Sequence, residues 1–330
     1  MADAILTIAL STCYSVETIS RTLASIAAQT IADRITLLLA VNPGTDVASV
    51  RPYLDAVDDY RVHDTVKIDT VDRSSACLAF KASTPYVACV EDHVFLDPEW
   101  AEKIVDTFEK TDADVVGTGV FNANPDSLLS WANFSLAYSY WSVSVPSGPS
   151  NWVSHHNGSF RKSLLEKFDA KTAVDGFNRE GQIIRDIIDS GGKLYFTNEA
   201  RLRHINPSNW RSTFTHRTDV GRLYAANRAR EGNWGLGKRA LYVALSPAIP
   251  FLRYARERSS IFAVFPEIRE VTHFPAVMIG LIFDAIGQVQ GYLVGEGDVR
   301  QRLTVFEMDR PQHLNARDRK ALYAMPEAMG

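Results

Sequence analysis

The chain lacks the glycine-rich loops with which many α/β proteins bind phosphate groups. The turn after the first predicted strand is STCYSVET, residues 11–18, and it contains no glycine. Neither GxGxxG nor GxxxxGK[ST] is therefore present at this turn, where glycines would let the backbone approach a phosphate closely. This absence removes most of the support for a dinucleotide-binding Rossmann domain.

Cysteine is scarce, and no leader sequence is recognisable. Cys13, Cys77 and Cys89 are odd in number, show no CxxC spacing and lie in or beside apolar runs. This usage is typical of reduced core thiols in a cytosolic protein. The N-terminus has no basic region and runs directly into the strand-like ILTIAL, so we expect no signal peptide and a cytoplasmic location.

A strong excess of charge of either sign is also missing. The 330 residues carry a net charge of −4, with 46% hydrophobic and 22% charged residues, which is typical of a folded globular protein. This balance argues against general nucleic-acid binding. Residues 200–260 are an exception, with twelve Lys or Arg against three acids. The local excess suits phosphate groups or an anionic membrane surface, and it equally suits a solvated basic face.

The chain has one candidate membrane segment, at residues 273–295. Asp284, Gln288 and Gln290 interrupt its apolar run, and several glycines weaken it as a helix. We therefore expect a buried or interfacial segment rather than a membrane span. The apolar and basic LYVALSPAIPFLRYARER precedes it. Together they predict either contact with a membrane surface, at its cytoplasmic face, or an oligomer interface, because both bury the same kind of surface.

The first 120 residues alternate strand and helix patterns. Repeated β-α-β units of this kind predict an α/β fold with a mostly parallel central sheet and helices on both faces. Further on, a helix from about Glu180 to Ser190 precedes the strand-like KLYFTNEARLRH. The early strands are predicted at Ile5–Leu10, Ile35–Val41, Val66–Val71, Tyr86–Val90 and Asp114–Val120, with helices beginning near Ser15, Ser74 or Ser75, and Pro98.

The apolar Val87–Val90 is followed by three ionisable residues, Glu91, Asp92 and His93. In a parallel sheet, ligands collect at the carboxyl ends of the strands. Buried carboxylates without partners are costly, and a divalent cation would remove that cost. Carboxylate oxygens suit Mg²⁺ or Mn²⁺, and an imidazole favours Mn²⁺. A charged surface loop that caps the next helix is the alternative.

An ordered series of motifs across roughly residues 4–206 resembles the family 2 glycosyltransferases, which have the GT-A fold. As an ordered series, it is far more specific than any single motif. It consists of LASIAAQT at 23–30, LLLAVNPGTD at 37–46, Glu91-Asp92-His93 as a DxD-like motif followed by Pro98, NGSFR at 157–161, Glu180 ahead of Gly192, and His204 closing a strand.

The resemblance implies transfer of a sugar from a nucleotide-diphosphate donor, best a UDP-sugar, to an acceptor hydroxyl, with inversion and with Mn²⁺ or Mg²⁺. The acceptor would be a saccharide, a lipid-linked sugar or a small molecule. The QxxRW signature of processive members is not supplied by WRSTFTHR, so one sugar per encounter is expected. The implied domains are a GT-A domain at 1–215, with a nucleotide-sugar half at 1–120 and an acceptor half at 121–215, and a mainly helical extension at 216–330.

The resemblance also implies roles for individual residues. Glu180 is the expected general base, and Asp175 on the preceding loop is the alternative. Asp92, His93 and His204 are expected to bind the metal, with Glu91 nearer the ribose or the metal's water shell. The further implied contacts are Asn42, Arg73, Glu91, Asp92, Arg217 and Arg222 for the donor, and Trp152, Asn157 and Arg161 for the acceptor.

Three departures from the family pattern keep other functions open. Asn42 and Pro43 stand where relatives usually have an Asp that contacts the base, and His93 replaces the last acid of the DxD motif. Gly181 replaces an acid that is the base in many relatives. A degenerate member acting as a scaffold or sugar-binding partner is therefore an alternative. A sugar-phosphate nucleotidyltransferase is a further one, although its usual glycine-rich basic loop is missing.

Overall fold

The computed structural model describes residues 3–13, 16–64, 70–177, 181–262 and 269–323. Within these residues the chain forms two compact units. The first contains the described residues up to Ala123 together with Trp141–His204, and the second contains Asn124–Tyr140 and Ile205–Leu322. The boundary predicted at residue 215 therefore falls inside the second unit.

The first unit is built on one mixed sheet. Its strands are β1 (Leu6–Ser11), β2 (Ile35–Val41), β3 (Asp59–Asp64), β4 (Tyr86–Val90), β5 (Val94–Leu96), β6 (Val115–Asn122), β7 (Gly148–Ser150), β8 (Ser159–Arg161) and β9 (Leu194–His204). Their order is β3-β2-β1-β4-β8-β6-β9-β5, and β7 pairs with β9. The long strands run parallel and the short β5, β7 and β8 run antiparallel. The predicted α/β fold with a mostly parallel sheet is confirmed.

The helices cover the sheet in the first unit and make up most of the second. They are α1 (Ser20–Ala27), α2 (Arg51–Leu54), α3 (Val71–Lys81), α4 (Trp100–Lys110), α5 (Leu128–Tyr138), α6 (Lys162–Leu165), α7 (Ala170–Phe177), α8 (Gln182–Asp189), α9 (Trp210–Glu231), α10 (Leu236–Leu245), α11 (Ile249–Phe262), α12 (Glu270–Val294), α13 (Val299–Met308) and α14 (Ala316–Tyr323). Of these, α5 and α9 to α14 belong to the second unit.

Apolar runs form the central strands as predicted. Every residue of β1, β2 and β4 is buried, as expected for strands covered on both faces. Most of the strand predicted at Val66–Val71 lies outside the described residues, and its last residue, Val71, begins α3. The observed edge strand is β3, whose polar sequence DYRVHD is half exposed and has no apolar run to reveal it.

Several helix starts also differ from the sequence prediction. Thr70 caps α3, since its Oγ1 accepts a hydrogen bond from the Arg73 N–H (3.1 Å), whereas the sequence suggested Ser74 or Ser75. Ser15 lies outside the described residues. Helix α4 begins at Trp100, two residues after Pro98. Gln29, at the end of the LASIAAQT motif, anchors this start by accepting from the Ala101 N–H and donating to the Asp97 carbonyl.

The three cysteines do not all lie in the core. Cys89 is buried, Cys13 is half-buried and Cys77 is exposed, and all are free thiols. The predicted core position is therefore wrong for Cys77, which faces outward from α3. Burial, together with the nearby charge of Asp72, raises the pKa of Cys89 to about 12, so this thiol stays protonated.

Glycines bring α9 and α12 into close contact in the second unit. A Cβ on Gly287 would lie 1.9 Å from the Thr218 carbonyl oxygen, and one on Gly221 would lie 2.0 Å from the Asp284 carbonyl oxygen. Glycine is needed here because the two backbones touch. Asp284 is buried and paired with Arg253 of α11, which explains a charge within an apolar run.

Helix α12 is long and apolar enough to cross a membrane by length and composition alone. Its most apolar 18-residue window is 56% buried within the protein, and the core helix of a soluble protein passes the same test. The sequence analysis expected a buried or interfacial segment weakened as a helix by its glycines, whereas α12 is a continuous helix over Glu270–Val294.

Candidate functional site

The charged triplet after β4 is enclosed within the first unit. Strand β4 lies between β1 and β8, so Glu91, Asp92 and His93 leave the sheet at the carboxyl end of a central strand. Each of the three is less than a tenth exposed. Charged side chains this deeply buried need partners.

Strand pairing brings a second imidazole to the triplet. Strand β5 pairs with the end of β9 in a register that sets Val94 opposite His204, and His93 directly precedes Val94. His93 Nε2 therefore lies 3.1 Å from His204 Nε2. Glu91 completes the group, with Oε2 3.5 Å from His204 Nε2 and Oε1 3.9 Å from His93 Nε2. The structure thus unites Glu91, His93 and His204, the cation group hereafter.

Asp92 occupies a different place from the predicted one. Its Oδ1 lies 3.0 Å from His93 Nδ1, the ring nitrogen opposite the one that faces His204. A carboxylate bonded to the second nitrogen of a ligating imidazole orients the ring and selects its tautomer. The carboxylate that faces both imidazoles is that of Glu91, which the sequence analysis placed nearer the ribose or the metal's water shell.

Asn157 clamps the Glu91 carboxylate. Its Oδ1 accepts a hydrogen bond from the Glu91 N–H (3.0 Å), and its Nδ2 donates one to Glu91 Oε2 (2.5 Å). Asn157 has a left-handed backbone with φ of 55°, a conformation that Asn tolerates better than most residues. The side chain of Asn157, a predicted acceptor residue, thus bonds to both the main chain and the side chain of Glu91.

The cation group fits a divalent cation. Two ligand atoms at right angles on one ion, each about 2.1 Å from it, lie about 3 Å apart, close to the 3.1 Å between the imidazole nitrogens. One carboxylate and two imidazoles form a donor set that first-row divalent metals accept.

Two predicted donor residues lie at the carboxyl edge of the parallel strands. Asn42 directly follows β2, and its Nδ2 donates to the Cys13 carbonyl oxygen (2.6 Å) after β1. Arg73 is exposed in the first turn of α3. Ligands of open α/β sheets bind outside this edge, so both residues lie where a donor is expected.

The second unit uses the guanidinium groups of Arg217 and Arg222 internally. Arg217 is buried, and it donates to Oδ1 and to the carbonyl oxygen of Asn133 (3.0 and 2.6 Å). Burial lowers its pKa to about 10. Arg222 donates to the Gly295 carbonyl oxygen (2.9 Å). Arg217 would have to leave this buried position to bind a phosphate, whereas the bond to Gly295 uses only one of the five N–H groups of Arg222.

The remaining acceptor residues have structural contacts. Arg161 donates to the carbonyl oxygens of Phe108 and Ala113 (3.0 and 3.2 Å), where it caps the end of α4. Trp152 is half-buried against the core of the first unit, and the Arg185 guanidinium lies 5.9 Å from its ring centroid. Trp152 therefore keeps part of its ring accessible, whereas the guanidinium of Arg161 is engaged within the fold.

The predicted base region is described only in part. Glu180 lies outside the described residues, and Asp175 lies on α7 rather than on a loop. Gly181, where many relatives carry an acid, has φ of +73°, and a Cβ there would lie 2.9 Å from His155 Nδ1. The imidazole of His155 and the left-handed backbone together explain why this position is glycine.

A second group of ionisable side chains, Asp72, His155 and His156, was missed by the sequence analysis. Burial raises the pKa of Asp72, but the two imidazoles outweigh it and hold the pKa well below its usual range. Burial, and then the neighbouring His156, lowers the pKa of His155. The adjacent histidines just before NGSFR were the available signal, but their carboxylate partner is 83 residues earlier in the chain.

Comparison with known proteins gives a family match over the N-terminal half of the chain. Residues 7–169 match the family described as Glycosyl transferase family 2, while no curated protein matches the chain. S. aureus TarS 1–349 in complex with UDP is 14% identical, with a TM-score of 0.46, over 87% of this chain and 91% of that one. A second structure of S. aureus TarS 1–349 has the same sequence identity and TM-score, over 90% of this chain and 92% of that one. The family match includes Glu91, His93 and Asn157 and ends before His204.

Proposed function

Because residues 7–169 form a family 2 glycosyltransferase domain, we propose that this glycosyltransferase moves a sugar from a nucleotide diphosphate, best UDP, to an acceptor hydroxyl with inversion. The observation that carries the proposal is the cation group of Glu91, His93 and His204 at the carboxyl end of the parallel strands. Asn42 supports UDP, since an amide at this edge is able to hydrogen-bond a uracil.

The cation group would hold Mn²⁺ or Mg²⁺, with Glu91, His93 and His204 as ligands. A divalent cation there would neutralise charge on the diphosphate leaving group. Asp92 keeps His93 in the tautomer whose Nε2 is available, and Asn157 aims the Glu91 carboxylate. These two residues therefore position ligands rather than bind the ion themselves.

Glu180 is the proposed general base, which takes the proton of the acceptor hydroxyl. It directly precedes Gly181 at the start of α8, and Asp175 on α7 is the alternative. Trp152 offers a partly accessible ring on which an acceptor sugar would stack. We assign one sugar per encounter, in the synthesis of a polysaccharide, glycolipid or glycoside.

A thermal-shift screen tests the donor and the metal together. UDP and UDP-sugars should raise the melting temperature with Mn²⁺ more than without it, because a ligand of the native state alone stabilises that state by about 2.7 kcal/mol at a hundredfold excess over Kd. The Mn²⁺-dependent part should vanish in His204→Ala and persist in His63→Ala, a control on edge strand β3. An equal shift with EDTA would exclude the metal.

Turnover separates an enzyme from a degenerate binding protein. The wild type should slowly hydrolyse a UDP-sugar in the presence of Mn²⁺, even without an acceptor. Binding of UDP-sugars without any hydrolysis or transfer would favour the alternative, a sugar-binding or scaffold partner. Release of pyrophosphate from a sugar phosphate and a nucleoside triphosphate would instead indicate the nucleotidyltransferase.

Exposed apolar residues on α10 and α11 support peripheral contact with the cytoplasmic face of a membrane. Leu236, Phe251 and Leu252 are 85%, 66% and 67% exposed. Exposed Lys238 and Arg256 lie on the same two helices, and basic residues beside apolar ones suit an anionic bilayer. This arrangement also suits an acceptor that is linked to a lipid.

Flotation with vesicles separates the membrane from an oligomer. The protein should float with phosphatidylglycerol vesicles at low salt, and Phe251→Ser with Leu252→Ser should remain in the dense fraction. If the wild type also stays dense and sediments as a multimer that the double variant dissociates, the surface is an oligomer interface.

A further inference from the structure

The second group of ligating side chains lies beside the cation group. His156 Nδ1 lies 3.1 Å from Asp72 Oδ1, and His155 Nε2 lies 3.9 Å from Asp72 Oδ2. One donor atom from each of the three residues lies within 4.8 Å of the others. Strand β8 and the start of α3 hold these residues together, because Asp72 is in the first turn of α3 and the histidines lie just before β8.

One nitrogen of this group is buried without a hydrogen bond. His155 is 7% exposed, and its Nε2 has no hydrogen-bond partner among the described residues. Its 3.9 Å separation from Asp72 Oδ2 is too long for a hydrogen bond. A buried polar atom left unpaired in this way indicates a bound water or ion.

His155 also lines a small pocket. Its lining includes Asp72, Glu91, His155 and His156, and it has a volume of about 10 Å³, room for about one water-sized sphere. It therefore suits a single ion or a single water.

We propose that Asp72, His155 and His156 bind a second cation of the Zn²⁺ class, distinct from the ion of the cation group. Two imidazoles with one carboxylate are a common ligand set for Zn²⁺. Ligand atoms on a tetrahedral Zn²⁺ lie about 3.3 Å apart, and one donor atom from each of the three residues lies within 4.8 Å of the others without a metal present.

Glu91 borders both sites. Its Oε1 lies 3.6 Å from His156 Nδ1 and 3.9 Å from His93 Nε2, so one carboxylate oxygen faces an imidazole of each group. It would be the nearest anionic neighbour of both ions and would offset the repulsion between them. The second site does not depend on the proposed sugar transfer.

Metal analysis of the purified protein tests the proposal directly. The protein is stripped with a chelator, dialysed against Zn²⁺ and measured by elemental mass spectrometry, with circular dichroism as the control for folding. The wild type should bind two equivalents. Asp72→Asn and His156→Ala, which alter partly exposed side chains, should each bind one.

Two further variants assign the sites. His204→Ala should lose the other equivalent and keep the second site, and His63→Ala should keep both. The proposal is wrong if folded Asp72→Asn and His156→Ala both bind as many equivalents of Zn²⁺ as the wild type, or if the wild type binds a single equivalent that is lost in His204→Ala. Either result would mean that the group is a hydrogen-bonded cluster around a water.

Discussion

The clamp of Asn157 on Glu91 leads to a quantitative prediction about metal affinity. Asn157 donates to Glu91 Oε2 and accepts from its main-chain N–H. A hydrogen bond to a charged group contributes about 1.5–3 kcal/mol, and loss of a group that positions a metal ligand typically weakens metal binding about 10–100-fold. These estimates agree, since tenfold corresponds to about 1.4 kcal/mol. Asn157→Ala should therefore raise the Kd for Mn²⁺ about 10–100-fold.

Backbone strain must be separated from the lost clamp. Asn157 has φ of 55°, where Ala costs about 1–2 kcal/mol and Gly has no steric penalty. Asn157→Gly should thus lose as much Mn²⁺ affinity as Asn157→Ala, because both remove the same hydrogen bonds.

Calorimetric titration with Mn²⁺ measures the Kd for Mn²⁺ of both variants, Asn157→Ala and Asn157→Gly. Wild-type affinity in both variants would refute the clamp and the place of Glu91 among the ligands. Affinity that falls with Ala but not with Gly would assign the effect to the backbone. An unchanged metal Kd with a raised KM for the acceptor would return Asn157 to the acceptor role expected from sequence.

Three further predictions concern the base, the helix contact and pH. Glu180→Gln should lower kcat about a hundredfold or more with the donor Kd unchanged, whereas turnover within a few-fold of wild type would move the role to Asp175. Gly287→Ala should lower the free energy of unfolding in urea by about 1–3 kcal/mol, because the new Cβ would lie 1.9 Å from a carbonyl oxygen. The control is Gly237→Ala on α10, where a Cβ would meet no atom within 4 Å. This control should be neutral or slightly stabilising. Burial lowers the pKa of His313 from 6.5 to about 4, so between these pH values the unfolded chain binds a proton that the folded protein does not. The free energy of unfolding should therefore keep its full value above pH 6.5. It should fall by roughly 2 kcal/mol as the pH is lowered towards 4, after allowing for solvent screening. Urea unfolding of His313→Gln should show a flatter pH dependence, and an identical one would contradict this assignment.

The central strands and the DxD-like triplet were predictable because their signals are local. An apolar run such as Ile35–Val41 identifies a strand buried on both faces, and a charged triplet after Val90 marks the end of such a strand. Edge strand β3 has neither signal. Its half-exposed DYRVHD owes its conformation to pairing with β2, which the sequence does not display.

Local patterns did not distinguish the roles of side chains at a single site. The sequence identified Glu91, Asp92, His93 and His204, but it predicted Asp92 as the carboxylate ligand and placed Glu91 nearer the ribose or the metal's water shell. In the structure, the register of β5 with β9 sets His204 beside His93. The direction of each side chain then follows from the turn after β4 and from Asn157, which lies 66 residues from Glu91.

The sequence by itself determined the fold class, the family and the position of the triplet, because hydrophobic periodicity and motif order are properties of neighbouring residues. Only the tertiary structure decided which oxygen faces which nitrogen, that Arg161 caps a helix, and that Asp72 joins His155 and His156. These outcomes depend on contacts between segments far apart in the chain. Such contacts are selected by packing and strand register, and no local pattern encodes them.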